Sequence, residues 1–411
     1  MAERPRFNVG DPLPMGVTTL LEASAGTGKT YALSALTVRM VAEQGIPISR
    51  ILIVTFTRAA TAELRDRIRR SLIEAEAHLC SEPQGVCGDP ILDAVAAGSP
   101  KERALRIERL SRAVKEFDTA TISTIHGFSS IVLGSLGVLA ERNLEGVAAE
   151  RGDDLVRQVC GDLLFTLQQQ GPAPIELARF IKLVTKARSI PGCLITAKSE
   201  GRVDDDTYTA ESNIAELVTD AVVQVERRLQ SSGALSFDSL LTEVRDALQA
   251  SPTVPAEVRA QFDVALIDEF QDTDPVQWEI FQTLFGAGTG TTLVLVGDPK
   301  QAIYAFRGGD VYTYLAAQET ATTLSLGTNQ RSDATVVHAM NVLAAGQQFG
   351  DERIAYHQVD ATDRHGNRAL LLDGQVAPGL EVRLVVEREA VGKEKLAADP
   401  VRERIAEDLG D

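Results

Sequence analysis

Ala23-Ser24-Ala25-Gly26-Thr27-Gly28-Lys29-Thr30 is the stretch that decides the fold of this chain, because it fits the pattern of a phosphate-binding loop. The pattern is a Gly, four residues and then Gly-Lys-Ser/Thr; Ala23 takes the first Gly position and the last three residues match. Residues 18–21 are apolar or β-branched, which indicates a buried strand, and residues 31–40 carry apolar side chains at helical spacing. A strand, a tight turn and a helix N-terminus leave free backbone N–H groups that can hold an anion.

The chemistry expected of this loop is nucleotide binding. Lys29 can reach the β- and γ-phosphates, and the Thr30 hydroxyl can hold Mg²⁺. The second half of such a site is a hydrophobic strand that ends in acidic residues, and residues 264–267 followed by Asp268 and Glu269 fit it. Asp268 can hold Mg²⁺, and Glu269 can activate the attacking water. The sequence therefore predicts a site for ATP and Mg²⁺.

The bulk composition is that of an ordinary globular protein. The chain has 411 residues, of which 44% are hydrophobic and 24% are charged, so two or three domains are expected. Its net charge of -17 argues against wholesale wrapping of nucleic acid, although a local basic groove is compatible with it. Four scattered cysteines, no signal peptide and no run of about 20 apolar residues indicate a cytoplasmic protein with no membrane span.

Strands that alternate with helices predict an α/β fold built on a parallel sheet. Apolar, β-branched runs at residues 51–56, 120–125 and 292–297 join the two strands named above. Two charged segments with helical patterns, residues 73–116 and 135–233, separate these strands along the chain. They are more than a minimal nucleotide-binding core needs, so we expect them to be insertions.

The stretch Gly297–Gly308 follows a strand and combines an amide, two aromatic side chains and an arginine. Gln301 could sense the γ-phosphate. Tyr304 and Phe306 have two interpretations, because they could stack on unpaired bases in sequence-tolerant single-strand binding or pack in the core. Their spacing alone favours the core.

Together the motifs resemble those of UvrD/Rep-type superfamily 1 helicases, in the same order along the chain. They are Ala23–Thr30, Val54–Ala60, Thr124–Phe128, Asp268–Asp272, Gly297–Gly308 and Thr328–Ser332. The residues of Glu22–Thr30, Ile267–Pro275 and Gly297–Gly308 are more similar still to the RecB-type branch, the exodeoxyribonuclease V beta chains. The resemblance extends to about residue 343 and implies a RecA-like P-loop NTPase that uses ATP and Mg²⁺.

The resemblance also implies a role for each matching position. Glu269 is the expected catalytic base, Gln271 and Gln301 position water or sense the γ-phosphate, and Arg331 approaches that phosphate from a second motor domain. The nucleotide is held by Ala23, Ser24, Ala25, Gly26, Thr27, Gly28, Lys29, Thr30 and Gln271, and the metal by Thr30 and Asp268. The single-strand DNA contacts are Thr55, Phe56, Thr57, His126, Tyr304, Phe306 and Arg307.

By the same resemblance the chain divides into three parts. The first RecA-like motor domain (1A) takes residues 1–72, 117–134 and 234–317, the helical insertion (1B) takes residues 73–116 and 135–233, and the second motor domain (2A) begins at residues 318–411. After Arg331 no later helicase motif and no nuclease cluster is recognised, so we expect the N-terminal third of a RecB-like polypeptide. Gln330 stands where the family usually carries an aromatic residue that stacks on adenine.

The resemblance implies an ATP-dependent DNA helicase or translocase that acts in double-strand-break repair and recombination. Its partners would be single-stranded and duplex-end DNA together with RecC-like and RecD-like subunits. We expect the chain alone to hydrolyse ATP slowly and not to unwind DNA. Two alternatives stay open: a non-unwinding ATP- and DNA-binding fragment or scaffold, and a UvrD- or AddA-like helicase outside RecBCD.

Overall fold

The protein is represented by a computed structural model, which describes most of the chain. The described residues are 4–81, 87–136, 148–169, 171–188, 194–196, 205–231, 237–303, 309–362, 371–372, 375–376 and 379–380. Among them, no helix is both long enough and apolar enough to cross a membrane.

The centre of the fold is a parallel sheet of six strands in the order β3-β2-β4-β5-β1-β6. These strands are β1 (Thr18–Glu22), β2 (Ile51–Thr55), β3 (Thr121–Thr124), β4 (Val264–Ile267), β5 (Thr292–Gly297) and β6 (Thr322–Ser325). Every residue of β1, β2, β4 and β5 is buried, as expected of a parallel sheet covered on both faces. The predicted parallel α/β sheet is thus confirmed.

Alternate residues of each strand face two different hydrophobic cores, because successive side chains of a strand point to opposite faces. Leu266 packs in the core with α1 to α4, whereas its neighbour Ile267 packs in the core with α5 and α9 to α12. The helices are α1 (Lys29–Arg39), α2 (Arg58–Cys80), α3 (Pro90–Ala96), α4 (Pro100–Lys115), α5 (Ile125–Ser135), α6 (Ala148–Gln168), α7 (Leu177–Arg188), α8 (Asp205–Ser231), α9 (Phe237–Ala250), α10 (Thr253–Arg259), α11 (Pro275–Phe285), α12 (Val311–Thr320) and α13 (Ala334–Ala344).

The two helical segments expected as one insertion have different surroundings. Helices α6, α7 and α8 have a hydrophobic cluster of their own, which includes Val159, Phe180 and Val225. In contrast, α3 and α4 share the core of α1 and α2, since Ile91 and Leu110 are buried there. The segment 73–116 therefore packs with the motor sheet and not with the second helical segment.

The boundary expected at residue 317 also differs from the structure. Strand β6 lies beyond that residue, yet it pairs with β1 and completes the central sheet. The rest of the described chain contains α13 and small pairings of β7 (Thr328–Asn329) with β10 (Asp360–Ala361), β8 (Gln348–Phe349) with β9 (Asp351–Ala355), and β11 (Leu371–Leu372) with β12 (Gln375–Val376).

Candidate nucleotide site

The loop between β1 and α1 has the backbone that a phosphate-binding loop requires. Gly26 and Gly28 have φ angles of 80° and 93°, in the left-handed region that favours glycine. Gly28 is the N-cap residue of α1, and no side chain caps the helix there. The first N–H groups of a helix have no partner within it, so this end can accept a phosphate. Ala23 anchors the loop, because its N–H donates to the Gly297 carbonyl over 2.9 Å.

The lysine of this loop and the acidic end of β4 meet in one site. Lys29 Nζ lies 2.5 Å from Glu269 Oε2. The same oxygen accepts a hydrogen bond of 2.8 Å from Gln271 Nε2, and Gln271 Oε1 accepts one of 3.0 Å from the Asp298 N–H. The carboxyl ends of β1, β4 and β5 thus bring the predicted phosphate-binding cation, base and amide together, as adjacent parallel strands allow.

Glu269 has an unusual backbone. Its φ of 50° is the only positive value at a non-glycine residue among the described residues. A left-handed glutamate costs free energy, and such outliers cluster at functional sites. Glu269 lies between β4 and a short 3-10 helix, Phe270–Asp272, and its side chain contacts Lys29.

Two carboxyl groups beside Glu269 have raised pKa values. Burial and the neighbouring Glu269 charge raise the pKa of Asp268 from 3.8 to about 6, against a smaller opposing effect of Lys29. Burial, followed by the same neighbouring charge, also raises the pKa of Asp272 to about 6. Carboxylate and hydroxyl oxygens are the donors that Mg²⁺ prefers. Asp268 and the Thr30 hydroxyl are oxygen donors of this kind at the site, although no group of three or more acidic, His or Cys side chains that could hold a metal ion occurs among the described residues.

We expect Asp268→Asn to stabilise the protein above its folded pKa. A shift of about 2 pKa units corresponds to about 2–3 kcal/mol, which the charged carboxylate costs at neutral pH. Since the folded pKa is raised, the unaltered protein gains stability as pH falls from about 6 to about 4. Urea unfolding should show Asp268→Asn to be more stable by about 2 kcal/mol at pH 7.5, with the difference vanishing near pH 4.

The control for this measurement is Asp118→Asn, which changes an exposed carboxylate. It should leave the free energy of unfolding nearly unchanged at both pH values. A gain for Asp268→Asn that does not depend on pH would contradict the assigned cause.

The segment that carries Arg331 lies directly on the phosphate-binding loop. The Gln330 N–H donates to the Gly26 carbonyl over 2.7 Å, and Asn329 Nδ2 donates to the Ala25 carbonyl over 3.3 Å. Asn329 Oδ1 in turn accepts the Arg331 N–H over 2.8 Å. A Cβ on Gly26 would lie 3.0 Å from the Arg331 Cβ, so the approach depends on glycine. The Arg331 side chain is exposed beside the loop.

Three of the residues expected to bind DNA, Phe56, Thr57 and His126, follow β2 and β3, which are neighbours in the sheet. Thr55 pairs in register with Thr124, so the Phe56–Thr57 turn and His126 lie at the same edge. Phe56 is half-buried, and Thr57 is exposed and caps α2 by accepting the Ala60 N–H over 3.1 Å. Burial lowers the pKa of His126.

The buried position of Thr55 differs from the expectation that this residue contacts DNA. Its side chain is 2% exposed, and its hydroxyl contacts Thr61 Oγ1 at 2.5 Å and donates to the Thr57 carbonyl over 3.2 Å. In this conformation it holds the turn together and presents no surface to a strand of DNA. The predicted contacts Tyr304, Phe306 and Arg307 lie outside the described residues.

Two parts of the site were not foreseen in the sequence. Asn329 positions Arg331, and Lys300 joins Glu22 to Asp298 at the ends of β1 and β5. These residues stand inside recognised motifs, but motif matching assigns them no role. Each also contacts a residue far away along the chain, Ala25 for Asn329 and Glu22 for Lys300, and spacing cannot indicate such contacts.

A phosphate-binding loop that faces an acidic strand end across a parallel sheet defines a RecA-like P-loop NTPase. The profile of the UvrD/REP helicase N-terminal domain matches residues 12–322. The chain therefore belongs to the UvrD/REP helicase N-terminal domain family.

Individual relatives agree with this assignment. The RecBCD enzyme subunit RecB of Mycolicibacterium smegmatis is 39% identical over 98% of this chain and 36% of its own length. RecB of Mycobacterium tuberculosis H37Rv is 35% identical over 98% of this chain and 36% of its own length. The ATP-dependent DNA helicase UvrD1 of Mycobacterium leprae is 26% identical over 82% of this chain and 39% of its own length. The chain thus spans 36–39% of the length of these relatives. The resemblance to RecB-type helicases is confirmed.

Proposed function

We propose that this chain is the ATP-dependent DNA translocase motor of a RecB-like helicase-nuclease. The observation that carries the proposal is the contact of Glu269 with both Lys29 and Gln271. The segment that contains Arg331 is hydrogen-bonded to the phosphate-binding loop that holds Lys29. A structural ion pair alone gives no reason for a strained Glu269 backbone at the end of a buried strand. A site for phosphoryl transfer needs the base held at that point.

Each residue has a step in the proposed reaction. The N–H groups at the start of α1 and the Lys29 ammonium bind the β- and γ-phosphates of ATP. Glu269 accepts a proton from the water that attacks the γ-phosphorus, while the Gln271 amide fixes the carboxylate through its 2.8 Å hydrogen bond. Mg²⁺ held by Thr30 and Asp268 would neutralise charge on the phosphates.

Arg331 supplies the remaining positive charge. Its segment follows β6, the last strand of the motor sheet, and contacts the loop through Asn329 and Gln330. A change at the phosphates would therefore reach the residues after β6, and motor proteins convert such changes into relative movement of their two lobes. We propose that this movement carries single-stranded DNA across the edge that holds Phe56 and His126, and that Phe306, which lies outside the described residues, stacks on one of its bases.

The experiment that tests the function is ATP turnover by the purified chain with and without an oligothymidylate. We expect turnover to increase with the oligonucleotide and to saturate with its concentration. If single-stranded DNA does not change the turnover, the chain hydrolyses nucleotides but is not a DNA motor. Copurification with RecC-like and RecD-like chains would support action at duplex ends in recombination, and its failure would favour a helicase outside RecBCD.

We expect Phe306→Ala to weaken binding of single-stranded DNA by about 1–3 kcal/mol, the value of one stacked base. Fluorescence anisotropy with labelled oligonucleotides of different composition should show a similar loss for each. The matched control is Phe165→Ala on α6, where the phenylalanine is 66% exposed, and it should bind normally. If Phe306→Ala instead lowers the unfolding temperature sharply, the alternative of core packing is correct.

A further inference from the structure

Lys300 lies in a buried cluster of charges beside the proposed site. Its Nζ is 2.9 Å from Glu22 Oε1 and 2.7 Å from Asp298 Oδ1, and these three side chains are 10%, 5% and 3% exposed. Glu22 also forms an ion pair with Arg4 of the N-terminal segment. Burying charged groups costs free energy even when they are paired. The cluster is therefore weak evidence for stabilisation, and its connections indicate another role.

Asp298 is the point from which the cluster reaches the nucleotide site. Its Oδ2 accepts a hydrogen bond of 2.8 Å from Gln301 Nε2, the amide expected to sense the γ-phosphate. Its backbone N–H donates to Gln271 Oε1 over 3.0 Å, and Gln271 holds Glu269. The Asp298 carboxylate thus links the Lys300 ammonium to the side-chain amide of Gln301.

We infer that Lys300 is a positioning residue for ATP hydrolysis, which acts by fixing the Asp298 carboxylate that orients Gln301. The inference rests on the proposed function. The ammonium and the backbone N–H of residue 300 both hold Oδ1 of Asp298, so Oδ2 stays directed at the Gln301 amide. Without the ammonium, one neutral donor of 3.1 Å is left on Oδ1, and the Asp298 carboxylate orients Gln301 less firmly. A displacement of about 1 Å in an active site can cost about 10²-fold in rate.

The variant Lys300→Met removes the charge at similar size. It should still fold, because Glu22 keeps its ion pair with Arg4. Asp298 also keeps Gln301 Nε2 and the backbone N–H of residue 300, which donates to Oδ1 over 3.1 Å. Asp298 thus keeps two hydrogen-bond donors, and Glu22 stays beside the Arg4 guanidinium.

The test measures kcat for ATP hydrolysis and the Kd of a fluorescent ATP analogue, both with single-stranded DNA present. We expect Lys300→Met to lower kcat by about 10- to 100-fold and to change Kd by less than about threefold. In a Gln301→Ala background the same substitution should lower kcat by less than about threefold, because Lys300 acts through Gln301. A purely structural residue would have the same effect in both backgrounds.

Two further variants complete the test. Arg39→Met removes a matched buried cation, which pairs with Glu43 over 2.6 Å at the far end of α1. It should lower the unfolding temperature yet keep kcat within about threefold. Lys300→Arg should retain most of the turnover. If Lys300→Met does not fold, Lys300→Gln replaces it with the same expected result.

The outcomes separate the two ideas. No ATP hydrolysis by the unaltered chain, with or without DNA, would overturn the proposed function and the inference together. Hydrolysis by the unaltered chain with normal kcat in the Lys300 variants would overturn the inference alone. So would a full additional loss of kcat in the Gln301→Ala background.

Discussion

Replacing Arg331 by alanine is expected to lower kcat for ATP hydrolysis by about 10³- to 10⁵-fold, because an arginine in the cleft stabilises transition-state charge. ATP affinity should stay within about threefold, since this arginine acts mainly on the transition state. The backbone of Arg331 is fixed against the loop by Asn329 and by the hydrogen bond from Gln330 to Gly26. Single-turnover release of labelled phosphate measures the effect.

The matched control is Arg112→Ala, which removes an exposed arginine on α4 that pairs with Glu108. It should not change phosphate release. Arg331→Lys keeps the charge but loses the planar donor fork, so we expect an intermediate rate. A kcat for Arg331→Ala equal to that of the unaltered chain would remove Arg331 from the proposed machinery.

Glu269→Gln is expected to lower kcat by about 10²- to 10⁴-fold, the range typical of a lost general base. The amide cannot accept a proton from the attacking water, but it has nearly the same size and can still contact Lys29 and Gln271. ATP should therefore remain bound. Equilibrium binding of a fluorescent ATP analogue, measured beside phosphate release, separates the two effects.

Glu108→Gln serves as the control, because that glutamate is exposed on α4. The assignment of Glu269 as base fails if Glu269→Gln hydrolyses ATP at the unaltered rate. A loss of ATP binding that accounts for the whole loss of turnover would also contradict it.

The central sheet could be predicted because its signals are local. Strands buried on both faces are continuous apolar runs, and a phosphate-binding loop has a fixed residue pattern. Parallel strands place all their carboxyl ends at one edge, so the meeting of Lys29 with Asp268 and Glu269 followed from the predicted topology. Only the structure gives the order of the strands and the distance of 2.5 Å between Lys29 Nζ and Glu269 Oε2.

Other features could not be predicted because their causes are not local. Helix α4 is rich in charge, and only Leu110 and Ala113 are buried in it, so its packing on the motor core was not visible. In α6 the apolar residues locate the helix but not its buried face, because Val156, Val159 and Leu164 are buried whereas Leu155, Leu163 and Leu167 are only partly buried. The contact of Glu22 with Lys300 joins residues from opposite ends of the motor domain.

The most direct test of the account is DNA-stimulated ATP hydrolysis by the chain and by Lys29→Ala, with the exposed Lys101→Ala on α4 as control. Loss of the cation at the β- and γ-phosphates should lower stimulated turnover by at least about 10²-fold. Lys101→Ala should behave as the unaltered chain. Stimulated hydrolysis that persists in Lys29→Ala would contradict the claim that this loop and Glu269 form the nucleotide site.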